Sequence, residues 1–185
     1  MAADTAIGFD WLSFFNWVKA RPAIDLTFAI AYDSAIVQIA VLLVVLNVTG
    51  RLDRAREFIW LLVLTIFITV PLSGIFPAEC PWSYFGVEDR VDAYHLADFT
   101  ALRSGQMPQI SLANAKGLIT FPSFHASLGL IWPMPAGVFP IFVVLNAVMI
   151  SALTSGGHYL VDIIAGLAIV PAAVLWLTRL RLMTR

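Results

Sequence analysis

The sequence predicts an all-α fold, a polytopic membrane helix bundle of about five transmembrane helices with an N-terminal interfacial helix, in a single domain spanning residues 1–185. The first observation behind this is composition. Hydrophobic residues make up 60% of the chain and charged ones 12%, against roughly 45–50% and about 25% in soluble domains. The second is that the apolar residues lie in uninterrupted runs long enough to cross about 30 Å of hydrocarbon at about 1.5 Å per helical residue. The third is that the basic residues concentrate in two short segments, Arg51–Arg56 and Arg179–Arg185.

The elements follow in chain order. Residues 9–21 open with Phe9, Trp11, Leu12, Phe14, Phe15, Trp17 and Val18, an aromatic segment too short to span and suited to the water–lipid boundary. Asp4 and Asp10 stand where a signal peptide carries basic residues, so a cleavable leader is not expected. Span one covers 24–48, interrupted by Asp25 and Asp33. A charged loop, Gly50 to Glu57, leads to span two at 58–76. Residues 77–117 form the one long polar stretch, read as an external loop with a short helix. The apolar stretch that follows contains Pro133-Met134-Pro135, which removes backbone donors and clashes with the preceding turn. It therefore divides into span three at 118–132 and span four at 136–154. After Ser155-Gly156-Gly157, span five occupies 158–178.

Short cytoplasmic loops are enriched in Lys and Arg. An odd number of spans puts both basic segments on one side, and the acidic loop with the heads of spans three and five on the other. The expected location is an inner cell membrane with the site on its periplasmic or external face. A net charge of −1 argues against nucleic acid as a partner.

Two segments carry chemistry: Phe121-Pro122-Ser123-Phe124-His125, and Ser155-Gly156-Gly157-His158-Tyr159-Leu160-Val161-Asp162. Descending span three and returning span four bring both histidines to one membrane face. On a helix Asp162 sits one turn from His158 and is placed to accept a hydrogen bond from its ring. Such a carboxylate fixes the tautomer, frees the other ring nitrogen as a nucleophile and offsets the developing positive charge. An ionisable residue inside an apolar run calls for a partner. Ser123, after a proline and before a helix, offers its hydroxyl and the first free amides to a phosphate. His125 is positioned to protonate a leaving alkoxide.

This pattern resembles the type 2 phosphatidic acid phosphatase superfamily of membrane lipid phosphatases and phosphotransferases. That family opens two helices with Pro-Ser-Gly-His and Ser-Arg-x5-His-x3-Asp motifs, and Pro122, Ser123, His125, Ser151, His158 and Asp162 match by spacing, mainly over residues 118–166. The resemblance implies attack on phosphorus by His158, a phosphohistidine intermediate, a phosphorylated lipid as substrate, and no metal or other cofactor. The implied activity is lipid-phosphate hydrolysis. Transfer of a phospho-headgroup to an alcohol acceptor, or a non-catalytic lipid-binding or transport role, are the alternatives. The chain departs from the family pattern at Phe124 in place of glycine and Ala152 in place of arginine, and it lacks a Lys-x6-Arg-Pro motif, since Phe14 precedes Arg21-Pro22. A phosphoryl group still needs charge compensation, for which Arg103 and Lys116 are the candidates. The Gly157-His158-Tyr159-x2-Asp162 form is similar to the branch that holds inositol-phosphorylceramide synthase and sphingomyelin synthase.

The remaining singular residues have plainer readings. His95, among Asp92, Tyr94 and Asp98, reads as part of a solvated helix face. Asp33 suits either a water-filled cavity or the membrane surface. Gly156-Gly157 suits a tight turn and close helix approach. Cys80, the single cysteine, reads as structural. His125, His158 and Asp162 are metal-ligand types, but the His–Asp pair is explained without a metal.

Overall fold

The computed structural model describes residues 2–93, 95–106, 117–130 and 147–183. Among these every regular element is helical: α1 Ala2–Ala6, α2 Trp11–Lys19, α3 Pro22–Val48, α4 Leu52–Ile75, α5 Pro81–Phe85, α6 Leu96–Arg103, α7 Phe124–Leu130, α8 Ser151–Thr154 and α9 Leu160–Met183. Short 3-10 turns add Glu88–Arg90 and Ala147–Ile150.

Among the described residues three helices, α3, α4 and the Leu160–Arg179 part of α9, are long and apolar enough to cross a membrane. Their outward faces are what a lipid solvent requires, since Ile36 and Val48 of α3, Phe67 of α4 and Leu175 of α9 are all exposed. The three are not equivalent. In its most apolar stretch α9 has 39% of its residues buried, against 17% for α3 and 22% for α4, so α9 is the central element. It packs mainly on α7 and α4.

Several boundaries depart from the expected ones for local physical reasons. Helix α4 begins at Leu52 because Gly50, at φ 70°, makes the whole turn, so Asp53, Arg54, Arg56 and Glu57 are helical rather than loop. Residues 118–123 are not helical, and α7 starts only at Phe124. Pro122 has no N–H to donate, and Ser123 caps the helix, its Oγ accepting from Ala126 N at 3.3 Å. Most of the expected span four, 136–146, lies outside the described residues. The 77–117 stretch contains α5, α6 and the Glu88–Arg90 turn.

The α7–α9 contact sets the frame of the site. Gly166 faces Ser123, and a Cβ there would run into the Ser123 carbonyl and stand 3.1 Å from Ala126 Cβ. Lipid gives helices little hydrophobic reason to associate, so close approach over small residues and interhelical hydrogen bonds do it instead. Ser127 Oγ donates to Gly166 O at 2.7 Å and Ser123 N to Asp162 O at 3.0 Å, each contributing about 0.6–2 kcal/mol.

Helix α2 is amphipathic. Asp10 N-caps it, accepting from Ser13 N at 3.0 Å and Ser13 Oγ at 2.6 Å. These two bonds hold the exposed Asp10 carboxyl below its usual range. Trp11, Phe15 and Val18 recur at helical spacing and are buried, while Trp17 is exposed under the Arg21 guanidinium at 4.3 Å.

Candidate active site

The segment carrying His158 is a loop, not a helix: His158 lies two residues ahead of α9, between the Gly157 turn at φ 62° and Leu160. It is held from several sides. Trp11 Nε1 donates to Leu153 O at 3.1 Å and His158 O at 3.0 Å, and Trp82 Nε1 donates to Thr154 O at 3.2 Å. The same indole of Trp82 lies so close over Gly157 that a Cβ there would meet it at 3.0 Å. The expected turn-and-approach role of the two glycines is therefore what their surroundings require, with Gly156 likewise against the Tyr32 ring.

The N-terminal segment supplies the third hold. Asp4 is fully buried, and its carboxylate accepts from Leu160 N and Val161 N, both at 2.9 Å. These are the first amides of α9, which have no partner within their own helix. Asp4 is thus an N-cap delivered from the far end of the chain, where it also meets the positive end of the helix dipole. In an Asp4→Ala variant the two amides lose a charged acceptor, a loss of about 1.5–3 kcal/mol. We expect the melting temperature in detergent to fall by roughly 3–12 °C, with Asp4→Asn recovering at least half. An unchanged melting temperature in Asp4→Ala would show that the cap contributes nothing.

The His158–Asp162 arrangement differs from the expectation. Because His158 is outside the helix, the Asp162 Oδ2 stands 3.8 Å from His158 Nδ1, beyond hydrogen-bond range. Oδ2 instead accepts from Tyr159 N at 2.7 Å, the reciprocal half of a capping box. His158 Nδ1 meets the Thr120 carbonyl at 2.8 Å. A carbonyl only accepts, so Nδ1 carries the proton and the lone pair lies on Nε2. A backbone carbonyl sets the tautomer, while buried Asp162 stays close enough to act on the ring through its field.

His125 sits in the first turn of α7, its ring stacked on Tyr32 with centroids 4.1 Å apart and planes at 16°. His125 and His158 line one cavity of about 300 Å³, together with Tyr32, Thr69, Thr120, Ser155 and apolar residues including Ile66, Val70 and Phe124. His95 lines it too, so all three histidines of the chain meet there. His95 is buried beside Trp82, ring centroids 5.4 Å apart, which corrects its assignment to a solvated face. Its acidic neighbours in sequence were the misleading signal; the fold of the loop over Trp82 is not readable from local pattern.

The other expected ligands fall elsewhere. Ser123 is fully buried as the α7 cap and is not among the residues lining this cavity. Arg103 donates to Pro77 O at 3.1 Å, lies 5.7 Å from the Phe99 ring, and lines a neighbouring cavity of about 260 Å³ that shares Val70, Leu118, Ile119 and Thr120 with the first. Lys116 lies outside the described residues, next to Gly117 in the cavity wall. Asp33 lines a third cavity, about 400 Å³, with Lys19, Asp25 and Asp92, and Lys19 pairs with Asp25 at 2.8 Å. Cys80 is buried at the N-cap of α5, and burial pushes its thiol up in pKa, the opposite of an activated nucleophile.

The cavity therefore offers an imidazole whose Nδ1 is engaged by a carbonyl, a second imidazole in the same wall, and no carboxylate among the described lining residues. That arrangement suits attack on an electrophile bearing negative charge. No curated protein and no solved structure gives a significant match to the chain. A family profile described as the PAP2 superfamily matches residues 1–176. This extends the resemblance over the N-terminal half, where Asp4, Trp11 and Trp82 support the His158 loop, and the chain belongs to the PAP2 superfamily.

Proposed function

We propose that the protein is a membrane lipid-phosphate phosphatase that works through a phosphohistidine on His158, with its site on the external face. The observation that carries the reading is the single cavity shared by His125 and His158, with the His158 Nδ1 proton held by the Thr120 carbonyl at 2.8 Å. His158 Nε2 attacks phosphorus, the bond from phosphorus to the lipid oxygen breaks, and His125 gives its proton to the leaving alkoxide. Water then attacks the phosphohistidine, returning a proton to His125 and releasing phosphate. Asp162 offsets the positive charge that grows on His158 during attack. A volume of about 300 Å³ is at the small end of ligand pockets, roughly 300–1,000 Å³. It suits a phosphorylated headgroup with the acyl chains left along the lipid-facing helices.

Lys116, next in the chain to the cavity residue Gly117, is the proposed basic ligand ahead of Arg103, whose guanidinium is engaged with Pro77 O. Ser123 acts on the site by fixing the start of α7. A second reading, transfer of the phosphoryl-bearing headgroup to an alcohol, is favoured by the Gly157-His158-Tyr159-x2-Asp162 motif, similar to that of the lipid phosphotransferase branch. It uses the same first half-reaction.

The test is phosphate release by purified protein from phosphatidic acid, lysophosphatidic acid, sphingoid-base phosphates and lipid diphosphates, with and without chelator, and with an added alcohol acceptor. Release from at least one, unaffected by chelation and accompanied by an acid-labile, alkali-stable phosphoenzyme, is the expected result. Phosphate on the acceptor selects transfer. No turnover of any substrate favours a non-catalytic lipid-binding protein, and loss on chelation removes the metal-free mechanism.

A further inference from the structure

The cavity poses an electrostatic problem. A phosphoryl group in transfer spreads its charge over three non-reacting oxygens and needs donors or cations for them. The described wall holds no lysine or arginine, and the two catalytic imidazoles are committed to the attacking and leaving atoms. Two side chains in the same wall remain without a role in that chemistry. One is His95, 7% exposed, carried on the loop just before α6. The other is Thr69 of α4, 1% exposed, whose Oγ1 has no hydrogen-bond partner among the described residues. A buried hydroxyl without a partner is destabilising, and a bound acceptor removes that cost.

We propose that His95 and Thr69 form the anion-holding wall of the cavity, donating to non-reacting oxygens of the phosphoryl group while His125 and His158 act on the reacting ones. The inference rests on the phosphatase reading and deepens it. His95 supplies an imidazole donor beside the basic ligand proposed above, and the Thr69 hydroxyl acquires in the complex the partner it lacks among the described residues. Thr65, one turn earlier on α4, is likewise buried with an unpartnered hydroxyl but is not among the cavity residues, and so provides an internal control.

The experiment measures inhibition of lipid-phosphate turnover by inorganic phosphate, with KM and kcat, in wild type, His95→Ala, His95→Arg, Thr69→Val and Thr65→Val. We expect the phosphate inhibition constant and KM to rise at least tenfold in His95→Ala and about threefold to tenfold in Thr69→Val, with kcat changed less. His95→Arg recovers most of the loss, because a planar cation restores the anion contact, and Thr65→Val stays at the wild-type value. Thr69→Val removes no bond within the described protein and keeps the side-chain shape, so it tests the proposal even where His95→Ala fails to fold. Wild-type inhibition constants in Thr69→Val, or equal shifts in Thr69→Val and Thr65→Val, overturn it. The two levels separate cleanly: a wild type without turnover defeats the phosphatase reading, whereas an active wild type with unchanged phosphate inhibition in Thr69→Val defeats only this one.

Discussion

Replacing His158 with alanine is expected to lower phosphate release by on the order of 10³-fold or more, with KM nearly unchanged and no phosphoenzyme detectable. Apart from His125 and His95, to which the mechanism gives other tasks, the described cavity wall offers in place of His158 only the hydroxyls of Ser155, Thr69, Thr120 and Tyr32, which are weak nucleophiles without an adjacent base. Knocking out the nucleophile of a covalent enzyme costs on the order of 10⁶-fold, leaving a residue of activity from binding and electrostatics. Asp162→Asn should fall less, by roughly 10–100-fold. The His158 tautomer is set by the Thr120 carbonyl at 2.8 Å, and asparagine keeps an oxygen to accept from Tyr159 N. Phosphate-release assays with a chemically quenched phosphoenzyme measurement check both. Equal wild-type and His158→Ala rates would remove His158 from the chemistry.

The second large effect is expected in His125→Ala and depends on the leaving group. General acid catalysis contributes roughly 10²–10⁴-fold, and that is the loss predicted for lipid alkoxides, which leave poorly without a proton. For p-nitrophenyl phosphate, whose phenolate needs none, the loss should shrink to about tenfold or less. A His125→Ala loss of equal size for both substrates would assign His125 to binding or folding instead. Tyr32 shares in this, since its ring lies against His125 with centroids 4.1 Å apart and confines the imidazole to one orientation.

The helical membrane class and the two-motif core were legible in the sequence because both rest on spacing. Apolar runs record the thickness of hydrocarbon, and Ser123, His125, His158 and Asp162 lie near starts of helices that the motifs themselves define. What was not legible depends on contacts between distant segments. Asp4 and Asp10 read only as evidence against a signal peptide, yet Asp10 caps α2 and Asp4 caps α9 from 156 residues away. Ser123 was expected to hold phosphate, but an adjacent proline and the α7–α9 crossing turn it into a buried cap. The His158–Asp162 hydrogen bond assumed that α9 begins early enough to contain both. The helix starts at Leu160, and the carbonyl of Thr120, invisible to any side-chain pattern, takes the ring proton.

The bonds from Asp4 and Trp11 to residues 153–161 also order events at the ribosome. Asp4 waits 156 residues for its partner Leu160 and Trp11 waits 142 for Leu153, so a nascent chain halted before residue 160 lacks the full set of bonds that holds the His158 loop, however well its earlier spans have inserted. The proposed site then takes shape in one late step, when these two distant segments meet.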